Sequence, residues 1–400
     1  MSSVPSPFDL VKDTPFAAYT AGMSQLTGGM VNHVWRLSDA NGQTVIVKYA
    51  AAAMSMFPTI KVSTERMCFE ARGLALLNGP TRPVAPCIAE SAELQGLMHL
   101  GCELTETPGV YVPRLLHYDA AVPFVVLEDV GQLLPYDSWY SPGQPLPAKE
   151  MLTLVSTRVG EWLARLHIFG YRHIGKLAQD NLLVNKPARS FLGDVFFQTL
   201  CQRIPSHAVF QNSDSCADLL AAVREFRTQV ADETSNVHKT VLFGDLWSGS
   251  ILFDQQALRV NILDLEFIDT GLIYSDVGHL MAHLLPVHFL AEHKYDPLRD
   301  ACPEHALAFL KSYRSTLGEC PEALEALVTS KTVLQCARFF GMEVARDVLT
   351  GYWCRCGKSE GFADAEKSLT CQCAETLLSF ASQYILNTTG TQNVFDVLLN

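Results

Sequence analysis

Val241-Leu-Phe-Gly-Asp-Leu-Trp-Ser-Gly-Ser-Ile-Leu-Phe253, continued by Asn261-Ile-Leu-Asp-Leu-Glu-Phe267, is the stretch around which this chain is organised. The apolar run Val241 to Phe243 stops at Gly244 and delivers a carboxylate, Asp245, into a tight loop. A second run, Ile251 to Phe253, turns through Asp254-Gln255-Gln256, and a third, Val260 to Leu263, leads into Asp264 and Glu266. Short apolar runs bounded by polar turn residues are strands of a hairpin. Its ends gather Asp245, Ser250, Asp264 and Glu266. Three acids and a hydroxyl are costly to bring together without a cation to hold or a proton to move. The plainer alternative is a hairpin whose acids are solvated at its turns.

The order of these groups matches phosphoryl-transfer enzymes of the protein-kinase-like class. Those enzymes use a loop aspartate to take the hydroxyl proton, a metal ligand a few residues on, and a second metal-binding aspartate after a short hairpin. Asp245 is the candidate base, Ser250 stands five residues later, and Asp264 follows the hairpin.

Toward the N-terminus, Leu26-Thr-Gly-Gly-Met-Val-Asn-His-Val-Trp-Arg-Leu37 precedes Asn41-Gly42, which predicts a two-residue hairpin turn. Gln43 to Lys48 is the returning strand. A glycine pair opening a hairpin can bare backbone N–H groups to phosphates. Gly28, Gly29 and Asn32 are the candidate residues there, and Lys48 reaches the phosphates from beneath. Residues 63–78 carry a helical stripe of Met67, Phe69, Leu74 and Leu77 that ends at Gly79-Pro80. Glu70 is the candidate partner of Lys48 and Glu65 the reserve, although either can be a solvated helix glutamate. Residues 80–111 read as a long loop or insertion. Residues 112–119 and 124–130 read as two more strands, and the chain leaves the sheet through Glu128-Asp129-Val130-Gly131. In this class that exit is the hinge, where backbone groups of Glu128 and Val130 meet the adenine edge. The domain boundary is therefore set near residue 130, dividing the chain into 1–130 and 131–400.

Beyond it, residues 132–149 read as a loop and Met151 to Phe169 as a helix with one buried face. Gly170-Tyr-Arg-His-Ile-Gly-Lys176 fits most of a phosphate-binding loop. However, Leu177 replaces the metal-binding hydroxyl and a helix precedes it, so a turn is expected. Residues 180–240 read as helical scaffold. Asp276 opens a further helix, which it can cap, or it can accept hydrogen bonds from the Asp245 loop. His279 and His283 have metal-ligand spacing without a neighbouring glutamate or third ligand, which favours packing or substrate contact. Helices are expected near 303–317, 321–350 and 362–386. Cys354 and Cys356, like Cys371 and Cys373, are spaced too closely for most structural zinc sites, so reduced thiols are expected, with zinc as the alternative.

At 400 residues the chain is long enough for two lobes with sizeable cores. A net charge of −12 argues against a nucleic-acid partner and fits poorly with an anionic membrane surface. The N-terminus lacks a secretory pattern and no apolar run is long enough to span a bilayer. With twelve cysteines read as reduced, a cytoplasmic location is expected.

The segments 26–36, 245–251 and 262–266 resemble the aminoglycoside phosphotransferase and choline kinase superfamily, within it methylthioribose kinases and fungal 4-hydroxytryptamine kinases. The resemblance spans residues 20–285. It implies an α+β, bilobal protein-kinase-like fold with a small β-rich N-lobe and a larger, mostly helical C-lobe. It also implies an ATP- and Mg2+-dependent kinase that phosphorylates a hydroxyl of a small metabolite, either a methylthioribose-like sugar or a hydroxylated amine or indole. Asp245 would be the catalytic aspartate. Asp264 and Glu266, with Ser250 as a further oxygen, would bind the metal, and Lys48 and Glu70 would form the ion pair facing the phosphates. Phe243 stands where the superfamily usually has His, and Ser250 where it usually has Asn. Those departures leave a catalytically silent binding module as the alternative. A protein kinase is disfavoured because no Ala-Pro-Glu segment follows Asp264. The acceptor pocket is expected from the 132–149 loop and the late helices, with Trp139, Tyr140, Arg338, Glu343, Arg346 and Trp353 as candidates.

Overall fold

The computed structural model describes residues 4–26, 29–79, 85–136, 148–207, 210, 215–230, 238–294, 301–350, 377–387 and 394–399. In chain order the elements begin with α1 (Pro7–Val11), β1 (Gly22–Gln25), β2 (His33–Ser38), β3 (Thr44–Tyr49) and α2 (Arg66–Asn78). Then come α3 (Pro86–Ala89), α4 (Ala92–Leu100), β4 (Val110–Tyr111), β5 (Leu115–Asp119) and β6 (Phe124–Glu128). They continue with α5 (Lys149–Gln179), α6 (Lys186–Leu192), α7 (Gln198–Arg203), α8 (Ser215–Val230), β7 (Thr240–Leu242), β8 (Ile251–Asp254) and β9 (Arg259–Ile262). The remaining named elements are β10 (Asp269–Gly271), α9 (Tyr274–Lys294), α10 (Ala301–Leu317), α11 (Pro321–Leu327) and α12 (Ser330–Thr350). The chain divides into two compact units, of which the first takes Met1–Leu134, Lys176–Ala188 and Gly249–Asp269, and the second the rest.

In the first unit a five-stranded antiparallel sheet has the order β1-β2-β3-β6-β5. Alternation along β3 sends Val45 and Val47 to one face, where they bury against Trp35, Leu37, Phe124 and Val126 under Leu10 and Val11 of α1. Lys48, one residue out of that phase, points to the opposite face, toward α2. The β2–β3 turn is a hairpin, but with a three-residue loop rather than the two-residue one expected from Asn41-Gly42. Gly42 N donates to Asp39 O at 3.1 Å, Asp39 N to Gln43 O at 3.0 Å, and Gly42 takes φ +78°. That is a type I turn closed by a left-handed glycine. Asp39 Oδ1 reinforces it by accepting the amides of Asn41 and Gln43.

The stretch expected to be a loop over 80–111 instead holds α3, α4 and β4. Prolines suggested irregular chain, yet Pro86 lies at the first turn of α3, where its missing N–H costs nothing. Ser91 caps α4 by accepting the amide of Leu94 at 3.3 Å. β4 adds in parallel to β9, which pairs antiparallel with β8. The hairpin read from the sequence is therefore part of a three-stranded sheet in this unit.

The second unit is mostly helical. α5 runs unbroken to Gln179, so Gly170 to Lys176 is helix rather than the turn expected. Gly170 lies against Thr240 and Val241 of β7, where a Cβ would collide with backbone, and packing demand overrides the residue's poor helix propensity. α9 packs on α10 and α12, with Gly278 facing the Cys336 carbonyl. Cys354, Cys356, Cys371 and Cys373 lie outside the described residues, and the cysteines that are described form no disulfide. Among the described residues no helix is long and apolar enough to cross a membrane.

Candidate functional site

In the first unit, the last-but-one residue of β3 is Lys48, which is 6% exposed, and α2 presents Glu70 to it. Lys48 Nζ donates to Glu70 Oε2 at 2.8 Å and also pairs with Asp264. Glu65 is exposed at the N-cap of α2. Carboxylate oxygens of Glu70, Asp264 and Glu266 all lie within 4.8 Å of one another. Asp264 takes φ +76°, a conformation that costs a non-glycine residue about 1 kcal/mol. Such strain is retained where a side chain must be aimed.

Glu266 is held from behind. Asn32 Nδ2 donates to its Oε2 at 2.6 Å, and Arg66 Nε lies 3.2 Å from the same oxygen while donating to Asn32 Oδ1 at 2.8 Å. Arg66 is anchored in turn on the carbonyls of Ser63 and Ala51. Asn185 fixes the turn that follows, donating from Nδ2 to the carbonyls of Glu266 and Ile268 at 3.1 and 3.2 Å. Its own amide donates to Asp269 Oδ1 at 2.9 Å.

Ser250 is buried, and its carbonyl accepts the amide of Leu263 at 2.9 Å, the residue before Asp264. Gly28 lies outside the described residues; a Cβ placed on Gly29 would meet nothing within 4 Å. The Glu128 side chain is occupied by Tyr111 and Arg114, and its amide donates to the Arg114 carbonyl at 3.0 Å. Next to Val130, Asp129 forms a two-point ion pair with Arg36, which also donates to Gly131 O at 2.9 Å.

In the second unit, Gly244 at φ +91° turns the chain sharply and presents Asp245. Asp276 accepts the amides of Phe243 and Gly244 at 2.7 and 2.8 Å. His167 Nε2 lies 3.1 Å from the same carboxylate, and its Nδ1 is 2.6 Å from the Tyr313 hydroxyl. Phe243 is fully buried, edge-on to Trp162 at 5.9 Å. Asp245 Oδ1 is 3.1 Å from His279 Nε2, and His279 Nδ1 is 2.9 Å from Glu343 Oε1. Arg346 pairs with Glu343 at 2.8 Å and with Asp347 at 2.6 Å. Trp247 rests on His283, ring centroids 5.8 Å apart.

The model of the phosphotransferase enzyme family matches residues 22–305. The chain belongs to that family. A 4-hydroxytryptamine kinase of Psilocybe cyanescens is 26% identical over 307 residues, 74% of this chain and 75% of the relative. A 4-hydroxytryptamine kinase of Psilocybe cubensis is 27% identical over 286 residues, 68% of this chain and 70% of the relative. Among solved structures, an amicoumacin kinase, hAmiN, in complex with AMP-PNP, Ca2+ and Ami aligns with a TM-score of 0.50 at 12% identity. It covers 96% of this chain and 94% of its own. The bilobal kinase-like fold is thereby shown. This phosphotransferase is a small-molecule kinase acting on a hydroxyl group.

Electrostatics in the phosphotransferase follow from the geometry. Burial alone would lower Lys48, but Asp264 and then Glu70 outweigh it and hold the ammonium above its ordinary range. Burial raises the Glu70 carboxyl, with Lys48 opposing. Burial, opposed by Lys48 and reinforced by Asp264, pushes Glu266 up to about 7. Three acids thus face two cations, Lys48 and Arg66. An all-oxygen donor set with a surplus of negative charge suits a hard divalent cation.

Several participants carry no sequence signature. Asn185 and Arg66 sit outside every motif; Asn185 acts through backbone carbonyls, and Arg66 through Glu266 and Asn32 while anchored on two carbonyls. His279 was read as packing or substrate contact, and instead both its nitrogens face carboxylates. Glu343 and Arg346, expected to line an acceptor pocket, are tied to His279 and to each other. Trp139, Tyr140 and Trp353 lie outside the described residues.

Proposed function

We propose that this phosphotransferase transfers the γ-phosphate of ATP to the hydroxyl of a hydroxylated aromatic amine, of which 4-hydroxytryptamine is the representative to test first. The observation that supports the chemistry most directly is the meeting of Lys48 with Glu70 and Asp264 beside Glu266. The acceptor class is supported by the two Psilocybe relatives. The half-buried Trp247 ring, two residues past Asp245, offers an aromatic surface in keeping with it.

In this proposal Asp245 orients the acceptor hydroxyl and takes its proton as the new P–O bond forms. Lys48 exchanges Asp264 for phosphate oxygens, with Glu70 keeping the ammonium in place. Backbone N–H groups at Gly29 and Asn32 bind phosphate, while the Glu128 carbonyl and Val130 N–H read the adenine edge. Asp264 and Glu266, with Ser250, are the ligands for Mg2+, which neutralises charge on the phosphates when bound. We assign nucleotide binding to a lobe of residues 1–130 and acceptor binding to residues 131–400. Free thiols at the described cysteines suit a cytoplasmic enzyme.

The test is ADP release with Mg-ATP across hydroxylated indoles, amines and methylthioribose. Release with 4-hydroxytryptamine is expected. Release with the sugar alone would overturn the acceptor class. Asp245→Asn should leave nucleotide binding near normal while turnover falls about 10³-fold, and unchanged turnover would remove Asp245 from its role.

A further inference from the structure

In the second unit, five charged groups alternate in sign from a wholly buried carboxylate to the candidate base. Asp347 meets Arg346 at 2.6 Å, Arg346 meets Glu343 at 2.8 Å, Glu343 meets His279 at 2.9 Å, and His279 meets Asp245 at 3.1 Å. The Asp347 side chain is 0% exposed, whereas that of Asp245 is 30% exposed, so the series opens to solvent at Asp245. Glu343, Arg346 and Asp347 all belong to α12, and His279 projects from α9 between that helix and the Asp245 loop.

We propose that His279 is a positioning residue for Asp245: its charge holds Oδ1 by the ion-pair contact at Nε2, so that Oδ2 is the oxygen that receives the acceptor's proton. This rests on Asp245 being the base. Three observations carry it. His279 is buried, with Nδ1 engaged by Glu343, which fixes the ring and leaves Nε2 in ion-pair contact with Asp245 Oδ1 at 3.1 Å, without an aligned hydrogen bond. Asp245 Oδ2 has no partner among the described residues, whereas Oδ1 has one. Glu343, buried between His279 and Arg346, cannot turn away without stranding two cations.

The charge on His279 follows from the same contacts. Burial alone would lower its basicity, but Glu343 and then Asp245 outweigh that and push it up to about 10. His283, the neighbouring ring 4.8 Å away, is driven the other way by burial, His279 and Arg346, and stays neutral. An imidazolium against Oδ1 sets a positive charge beside the carboxylate before the acceptor arrives. It also limits the carboxylate to one free oxygen, which fits a reaction that needs orientation more than strong basicity.

Two variants separate positioning from mere packing. His279→Gln can place an amide N–H near the Nε2 position, whereas His279→Asn can reach Glu343 but not Asp245. With 4-hydroxytryptamine and with water as acceptors for Mg-ATP, His279→Asn should lower kcat about 10- to 100-fold at unchanged KM for ATP. His279→Gln should recover most of that loss. In an Asp245→Asn background His279→Asn should cost nothing further. Equal losses in both variants, or a full further loss in the Asp245→Asn background, would overturn the proposal. A second readout needs no acceptor: the imidazole 15N signals of the folded, full-length protein, assigned by their disappearance in His279→Gln. His279 should be doubly protonated at pH 8, and Asp245→Asn should lower its titration midpoint by about one unit or more. A ring neutral at pH 7, or a midpoint indifferent to Asp245→Asn, would overturn the contact. If Asp245→Asn keeps full turnover while the 15N midpoint moves, the contact stands and the assignment of the base has failed.

Discussion

Asp276 accepts the amide of Gly244 at 2.8 Å, one residue ahead of Asp245, so the loop carrying the candidate base hangs from a carboxylate on α9. The same carboxylate takes the amide of Phe243 and meets His167, which leaves an uncharged replacement poorly matched. Asp276→Asn would turn an N–H toward a donor. It should cost about 2 kcal/mol of stability and at least about tenfold in turnover through misplacement of Asp245. Urea unfolding and steady-state kinetics on the same preparation check both.

Asp264 combines a left-handed backbone with a place among like charges. Asn tolerates that backbone well, and neutralising the group removes repulsion with Glu70 and Glu266 while forfeiting the Lys48 pair. Asp264→Asn should therefore stay within about 1 kcal/mol of the parent in stability, yet lose turnover by about 10³-fold. A thermal scan with and without Mg-ATP would show the intact fold and a lost nucleotide-dependent shift.

Asn185 satisfies two carbonyls and an acid around the turn after Glu266. Asn185→Ala should cost about 2–3 kcal/mol, because the Glu266 and Ile268 carbonyls lose their buried partner. The metal-dependent stabilisation by ATP should weaken with it. Asn185→Asp is a sharper probe: it replaces the donor by an acceptor beside two carbonyls and should be worse than Ala.

His279 gives a pH signature. Its folded value is raised from 6.5 to about 10, so its contribution to stability is fully present below about pH 6.5 and is lost as pH rises through about 10. Unfolding free energy should fall across that window by at least about 1 kcal/mol more in the parent than in His279→Gln. Parallel curves for the two proteins would show that the ring is not charged.

Much of the candidate site was legible because its residues are tied to local pattern. Lys48 lies near the end of an alternating strand, Glu70 lies on the buried face of a short helix, and the Asp264–Glu266 pair follows a run of apolar residues after a polar turn. Each was readable from its neighbours in the chain. Asn185, Arg66 and the His279–Glu343–Arg346 series were not, since the contacts that tie Asn185 and Arg66 to Glu266, and His279 to Asp245 and Glu343, span tens of residues or more and their types are common on any helix. The 80–111 segment misled for a related reason: proline discourages helix interiors but favours first turns, and composition alone does not say which. At Asn41-Gly42 the residues announced the turn correctly, while Asp39, by accepting two amides, selected its length.

The partition of the chain has a consequence for building hybrids with related kinases. The first unit is assembled from three separate pieces, and β4 near residue 110 shares a sheet with β9 near residue 260. A crossover at residue 134 would set a donor's β4 against the host's β9, and a donor's Lys48 against the host's Asp264. Exchanges within this family should therefore carry 1–134, 176–188 and 249–269 together, with Asp245 left four residues upstream in the host's own loop.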